Sequence, residues 1–195
     1  MANQVETIIE ITTENRDRAS VFFRWLLVLP VAILISLFAQ AENFGAGTLI
    51  IALPVALTIL VRQVYPSWVL NFNHAILEFS MRIAAYALFL TDKYPTLEAN
   101  PSVAVLLPDV EGGKKLNRWL PLVKWILAIP LYLVGILYII YAAVATLVLW
   151  IQISLTGRGA KWAFDANYGT LKFWNRTIGY AVLLVTDEYP SFSLN

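Results

Sequence analysis

The sequence predicts an all-α integral membrane protein of two tandem repeats. Each repeat is a transmembrane helical hairpin followed by an amphipathic interfacial helix, with a short β-prone segment before each. Three observations lead there. Of the 195 residues, 59% are hydrophobic and 14% charged, whereas a soluble domain carries about a quarter charged residues. The stretch RIAAYALFLTDKYP, from Arg82 to Pro95, returns as RTIGYAVLLVTDEYP, from Arg176 to Pro190, and a self-match of that length marks an internal repeat. Arg24-Trp25 and Pro30 also return, one hundred positions on, as Lys124-Trp125 and Pro130.

Composition narrows the chemistry. The formal net charge is +1, there is no cysteine, and His74 is the single histidine. A balanced charge gives no footing for nucleic acid. Without cysteine there are no disulfides, thiolate metal sites or thiol nucleophiles, and one histidine removes most zinc and Ser-His chemistry. No cofactor, no metal site and no catalytic residue is expected. The N-terminal stretch carries Glu6, Glu10, Glu14 and Asp17 where a cleavable signal would have a basic start and an apolar centre. The apolar run from Val21 is therefore expected to stay as an anchor.

The first module covers residues 1–95. Residues 5–12 (VETIIEIT) are partly alternating and β-prone. An apolar run over 21–39, a polar turn over 40–47 and a second apolar run over 48–61, closed by Arg62 and Tyr65-Pro66, predict a hairpin over 21–62. Helix 68–90 carries Asn71, His74, Glu78 and Arg82 on one face and Phe72, Ala75, Ile76, Phe79 and Ile83 on the other. Such a stripe suits a helix lying in the membrane interface; a third span with the stripe turned inward is the competing reading.

A linker follows over 96–118, with Pro101, Pro108 and Gly112-Gly113. It holds a β-prone segment at 102–107, which is placed to pair with 5–12 across the duplication. The second module covers 119–195. Its uncharged run over 125–155 is too long for one upright span of a ~30 Å core and short for two. Adding 119–123 gives a tight hairpin over 119–156, with Lys124 snorkelling to the interface; a single steeply tilted helix is the alternative. A second amphipathic helix over 164–185 carries Asp165, Lys172 and Arg176 against Leu171, Phe173 and Ile178. With two spans per module, Arg62, the Lys114-Lys115-Arg118 loop, Arg158 and Lys161 share a side with both termini, and the Glu42 turn lies opposite. The excess of Lys and Arg puts that shared side in the cytoplasm. Three spans would invert one module relative to the other.

Arg118–Trp125 (RWLPLVKW), Ala128-Ile129-Pro130, Leu155-Thr156-Gly157-Arg158, Phe164-Asp165, Trp174-Asn175-Arg176, Tyr180 and Thr186–Phe192 together resemble one family. It is a family of small bacterial integral membrane proteins catalogued as a domain of unknown function, whose members often carry the module twice. The first half resembles it at Arg24-Trp25, Pro30, Arg82, Tyr86 and Thr91–Pro95. The resemblance implies a bacterial inner-membrane location and a multi-pass fold. It implies no activity, substrate or cofactor. Where the family often has His-Tyr after the hairpin proline, this chain has Leu131-Tyr132.

The repeated Thr-Asp-x-Tyr-Pro has a sufficient structural explanation. Proline keeps the residue before it extended, so the helix stops there. Asp92 and Asp187 suit Asx-type turns, and Tyr94 and Tyr189 suit the headgroup layer. Docking of a lipid headgroup or a partner protein is the functional alternative, with Arg82, Asp92, Tyr94, Pro95, Arg176, Asp187, Tyr189 and Pro190 as candidate contacts. Glu78 and Lys172 are candidates for an ion pair between the repeats, with Asp165 as the other partner for Lys172 and Arg176. Gly157-Arg158-Gly159 reads as a turn, since no lysine-serine pair follows it as in a phosphate loop.

Three function classes follow. A non-catalytic accessory or scaffold subunit, binding membrane lipids and another membrane protein complex or forming a homo-oligomer, fits best. A transporter or channel component draws on the duplication, against few polar groups in the spans: Ser36, Thr58, Thr146, Gln152 and Ser154. An interfacial lipid-active enzyme ranks last, because spacing identifies no convergent pair of acid–base groups.

Overall fold

The structure is a computed structural model describing residues 3–14, 16–40, 47–98 and 101–194, with side chains except at 34–40 and 47–51. It is mostly helical: β1 (Glu6–Ile9), α1 (Arg18–Phe22), α2 (Arg24–Gln40), α3 (Gly47–Arg62), α4 (Ser67–Ala87), β2 (Val103–Leu106), α5 (Leu120–Leu127), α6 (Ile129–Thr156) and α7 (Lys161–Ala181). Among the described residues one helix, α6, is long and apolar enough to cross a membrane.

Local chemistry sets the boundaries. Asp17 caps α1, its carboxylate accepting the Ala19 N–H at 3.1 Å. Pro66 precedes α4 in extended conformation, which fixes where that helix starts. Gly157 ends α6 in the left-handed region at φ 75°, a conformation that costs glycine little. The 21-residue helices α4 and α7 begin near the predicted positions and end before the apolar run does. The two β-prone segments pair with each other, antiparallel, with Thr7 opposite Val105.

Two expectations are corrected. In place of the hairpin over 119–156 there is a short α5 and a 28-residue α6 joined at Ala128. The joint keeps near-helical dihedrals (φ −79°, ψ −11°), so the chain bends without reversing. Pro130, which lacks an N–H and crowds the preceding turn, sits two residues beyond the break. At ~1.5 Å per residue α6 is ~42 Å long, enough to cross a ~30 Å core with tilt. The second correction concerns α7, where Phe164, Asn167, Phe173, Asn175, Thr177 and Tyr180 are all buried. α7 is thus a central packing helix, clamped by α6 on one side and β1 on another, and has no broad face free to rest on an interface. The turn predicted over 40–47 falls largely on residues 41–46, outside the described residues.

Close approach explains the α6–α7 contact. A Cβ on Gly135 would lie 2.6 Å from the Trp174 ring, so only glycine lets the two helices meet there. Polar bonds fix the register. Asn167 Nδ2 donates to Thr146 Oγ1 at 3.0 Å and to the Leu88 carbonyl at 2.8 Å, tying α6 and α7 to the end of α4. Asn175 donates to Thr7 Oγ1 at 2.7 Å, and the Tyr168 hydroxyl to the Thr7 carbonyl at 2.9 Å. These bonds pair the Asn167 and Asn175 amide N–H groups inside the protein, while Asn175 Oδ1 and Trp174 Nε1 are buried without a hydrogen-bond partner.

Candidate functional site

The turn after α4 closes around a buried cation. Arg24, at the start of α2, is fully buried. It bonds the Asp92 carboxylate and donates to the carbonyls of Tyr86 and Thr91 at 3.2 and 3.0 Å. Its guanidinium stacks 4.3 Å from the Tyr86 ring centre. Tyr86 in turn meets Tyr94 edge-on at 5.6 Å. A second guanidinium, Arg16, forks onto Asp92 with two bonds of 2.6 Å. Burial alone would raise the Asp92 carboxyl, but the two arginines outweigh it and hold the group below the ordinary carboxylate range.

The same cage is built after α7. Lys124 is fully buried, pairs with Asp187 at 2.7 Å and donates to the Thr186 carbonyl at 2.7 Å. Its ammonium lies 5.1 Å from the Tyr180 ring centre, and Tyr180 meets Tyr189 edge-on at 5.5 Å. In each turn the threonine hydroxyl accepts the N–H two residues on: Lys93 at 3.2 Å, Glu188 at 3.1 Å. In each, the residue two before the threonine takes a positive φ, Phe89 at 62° and Leu184 at 57°. Such residues cost on the order of 1–3 kcal/mol, so the cages hold both turns against local strain. The copies differ in one respect: Asp92 serves two arginines, whereas Asp187 serves Lys124 and the Asn117 N–H at 2.5 Å.

Sequence reasoning found the aspartates and tyrosines of these cages but not their cations. Arg24 and Lys124 served there as repeat markers, and Lys124 was expected to snorkel. The structure instead holds it inside, because Asp187 and the Thr186 carbonyl supply partners that a headgroup would otherwise provide. The usable signal was that a cation recurs directly before a tryptophan, Arg24-Trp25 and Lys124-Trp125, ahead of each Thr-Asp pair.

The remaining candidates separate by exposure. Pro95 and Pro190 are buried, while Tyr94 and Tyr189 are 43% and 38% exposed and the Tyr189 hydroxyl donates to the Leu127 carbonyl at 3.1 Å. Arg82 is buried and donates to the carbonyls of Thr96, Leu97 and Glu98 and, at 3.1 Å, to Glu78. Arg176 donates to Ser191 Oγ and the Ser193 carbonyl. Both arginines therefore staple the chain that follows their own turn. The expected Glu78–Lys172 pair does not form. Glu78 is committed to Arg82 and accepts the Val105 N–H at 3.3 Å, and Lys172 stands over the Tyr168 ring, 5.2 Å from its centre. Asp165 pairs with Lys161 at 3.1 Å, one turn away on α7. The polar stripe of α4 is satisfied by β2 and the linker, His74 meeting the Val105 carbonyl at 2.6 Å. Among the described residues no group of three His, Asp or Glu side chains gathers in metal-binding geometry.

Outside the cages α6 and α2 present an apolar surface. Leu133, Ile136, Leu137, Ile140, Val144, Leu147, Ile151 and Leu155 of α6 are all more than half exposed, as are Leu26 and Ile33 of α2. A groove of about 580 Å³ opens beside them, lined among others by Trp25, Leu88, Ala142, Thr146 and Trp174.

Residues 18–97 match the family described as Domain of unknown function (DUF4389). This stretch is similar to that family and contains Arg24, Tyr86, Thr91, Asp92 and Tyr94 of the first cage, but not Arg16. No curated protein and no solved structure matches the chain.

Proposed function

We propose that this chain is a non-catalytic integral membrane protein, an accessory or scaffold subunit that binds lipid and a larger membrane protein. It sits in a bacterial inner membrane with both termini cytoplasmic. It consists of two tandem repeats, each closed by one cation cage. The observation that carries this reading is the division of the surface. The repeated charged groups are turned inward onto Arg16, Arg24 and Lys124, while the outward face of α6 and α2 is a continuous sheet of Leu, Ile and Val. A patch of that kind marks a lipid or protein contact. On this reading α6 crosses the bilayer and α7 runs back beside it, which leaves both termini on one side, where Asn3 and Thr186 are bonded to each other. Support for the duplication is the correspondence of the cages, residue for residue, from cation to edge-on tyrosine pair.

Cysteine labelling tests the topology, because the chain has none of its own. Lys114→Cys, on the exposed part of the linker, should react with a membrane-impermeant thiol reagent in inverted vesicles and not in intact cells. Labelling in intact cells contradicts the arrangement.

A duplicated transporter is the second reading. It is favoured by the Asn167–Leu88 bond between the halves and the buried Asn167–Thr146 bond beside it, the kind of polar contact that lines a pathway.

A further inference from the structure

We propose that the pocket at the carbonyl end of α6 binds a phosphate group. The pocket has a volume of about 490 Å³ and is lined by Arg16, Arg18, Thr156, Gly157 and Arg158. No carboxylate is among those lining residues. Arg16 is 95% buried, being 5% exposed, and shares the single carboxylate of Asp92 with the fully buried Arg24. That cluster therefore carries one positive charge in excess. Arg18 and Arg158 are exposed and make no ion pair among the described residues; they add two positive charges, against the one carboxylate of Asp17 that caps α1. The C-terminal end of α6 offsets about half a charge. Arg18 closes on the backbone here: a Cβ on Gly157 would come 3.2 Å from its Nε, so the glycine keeps the guanidinium seated over the helix end.

Arg16 is itself committed to Asp92 and to the Thr12 and Phe89 carbonyls, so the charges left to pair are those of Arg18 and Arg158 at the pocket rim. Thr156 spends its hydroxyl on the Gln152 carbonyl at 2.7 Å, so the phosphate is held by the forked guanidiniums of Arg18 and Arg158, which suit its oxygens. The placement narrows the source. On the reading of α6 as a spanning helix, its last residues lie at the headgroup level, where lipid phosphates are concentrated. The shared chemistry is a phosphate ester or free phosphate.

The test uses the full chain in a mild, phosphate-free detergent, titrated with palmitoyl-oleoyl phosphatidylglycerol and separately with inorganic phosphate, with bound ligand read by native mass spectrometry. Arg18→Gln/Arg158→Gln should weaken phosphatidylglycerol binding on the order of tenfold or more, the loss expected for two charge-assisted hydrogen bonds. Arg62→Gln, an exposed arginine elsewhere, should leave it unchanged. Binding of the lipid that millimolar phosphate does not displace identifies a headgroup site. Equal binding of phosphate alone identifies a free-anion site, and either supports the proposal. Unaltered binding of both probes by the double variant overturns it, as does an equal loss in Arg62→Gln. If the double variant does not fold, Arg158→Gln alone carries the same comparison. The assay is independent of any partner, so failure to find a complex in native membranes counts against the scaffold reading and not against this pocket.

Discussion

Removing the carboxylate of the second cage should cost far more than removing its cation. Lys124 has a side chain 1% exposed, whereas Asp187 is 24% exposed. In Asp187→Asn the ammonium stays buried with the Thr186 carbonyl and the Tyr180 ring as its partners. Breaking a buried pair in this way costs about 3–5 kcal/mol. In Lys124→Met the surviving carboxylate reaches water and keeps the Asn117 N–H, so the loss is about 1–2 kcal/mol. The double variant Lys124→Met/Asp187→Asn leaves no charge behind and should sit close to Lys124→Met, giving a coupling of about 3–5 kcal/mol in the cycle. At ~2–4 °C per kcal/mol for a chain of this size, Asp187→Asn should unfold roughly 10 °C below the native chain. Thermal unfolding in detergent, followed by tryptophan fluorescence, measures all four proteins. Equal losses in the two single variants, or losses that simply add, would refute the cage as an ion-paired unit.

Three further outcomes follow from the same geometry. Asp92 titrates below its ordinary value, so its contribution is complete above about pH 4 and is lost as pH falls through the depressed value; the acid unfolding midpoint of Asp92→Asn should lack that component. Burial raises the Tyr65 phenol to about 12, and its hydroxyl donates to the Leu183 carbonyl at 2.7 Å. The stability it provides is therefore present below about pH 10 and lost as pH rises toward the raised value, and Tyr65→Phe should show a shallower alkaline decline on a stability lower by about 1 kcal/mol. Gly135→Ala drives a methyl into Trp174 and should destabilise by about 1–3 kcal/mol, with a change in tryptophan emission that reports the displaced ring.

Much of this was legible in the sequence because it rests on short-range rules. Helix stops at Tyr94-Pro95 and Tyr189-Pro190 follow from proline sterics, and the two strands follow from alternation flanked by polar residues. The cages were half legible: Asp92 and Asp187 stood out by repetition, but their partners lie 68 residues away for Arg24 and 62 residues from Thr186 for Lys124. No local pattern ties such groups together. The hairpin over 119–156 was misjudged because run length cannot tell a tilted helix from two short ones, and Pro130 reads equally as a kink or a turn. α7 was misjudged because Asp165, Lys172 and Arg176 at helical spacing look like a wet face, yet the structure pairs Asn167 and Asn175 internally and uses Gly169 and Gly179 for close packing against Leu194 and Val5. Repetition of a motif located the site; only the fold supplied its charges.

The central claim is that a lipid-facing chain with its charges locked inside serves a larger assembly. Extraction from the native membrane in mild detergent, followed by the mass and composition of the particle that carries the chain, tests it most directly. A defined complex with another membrane protein at fixed stoichiometry is the predicted result. Release without detergent, or a particle holding this chain alone, would contradict it.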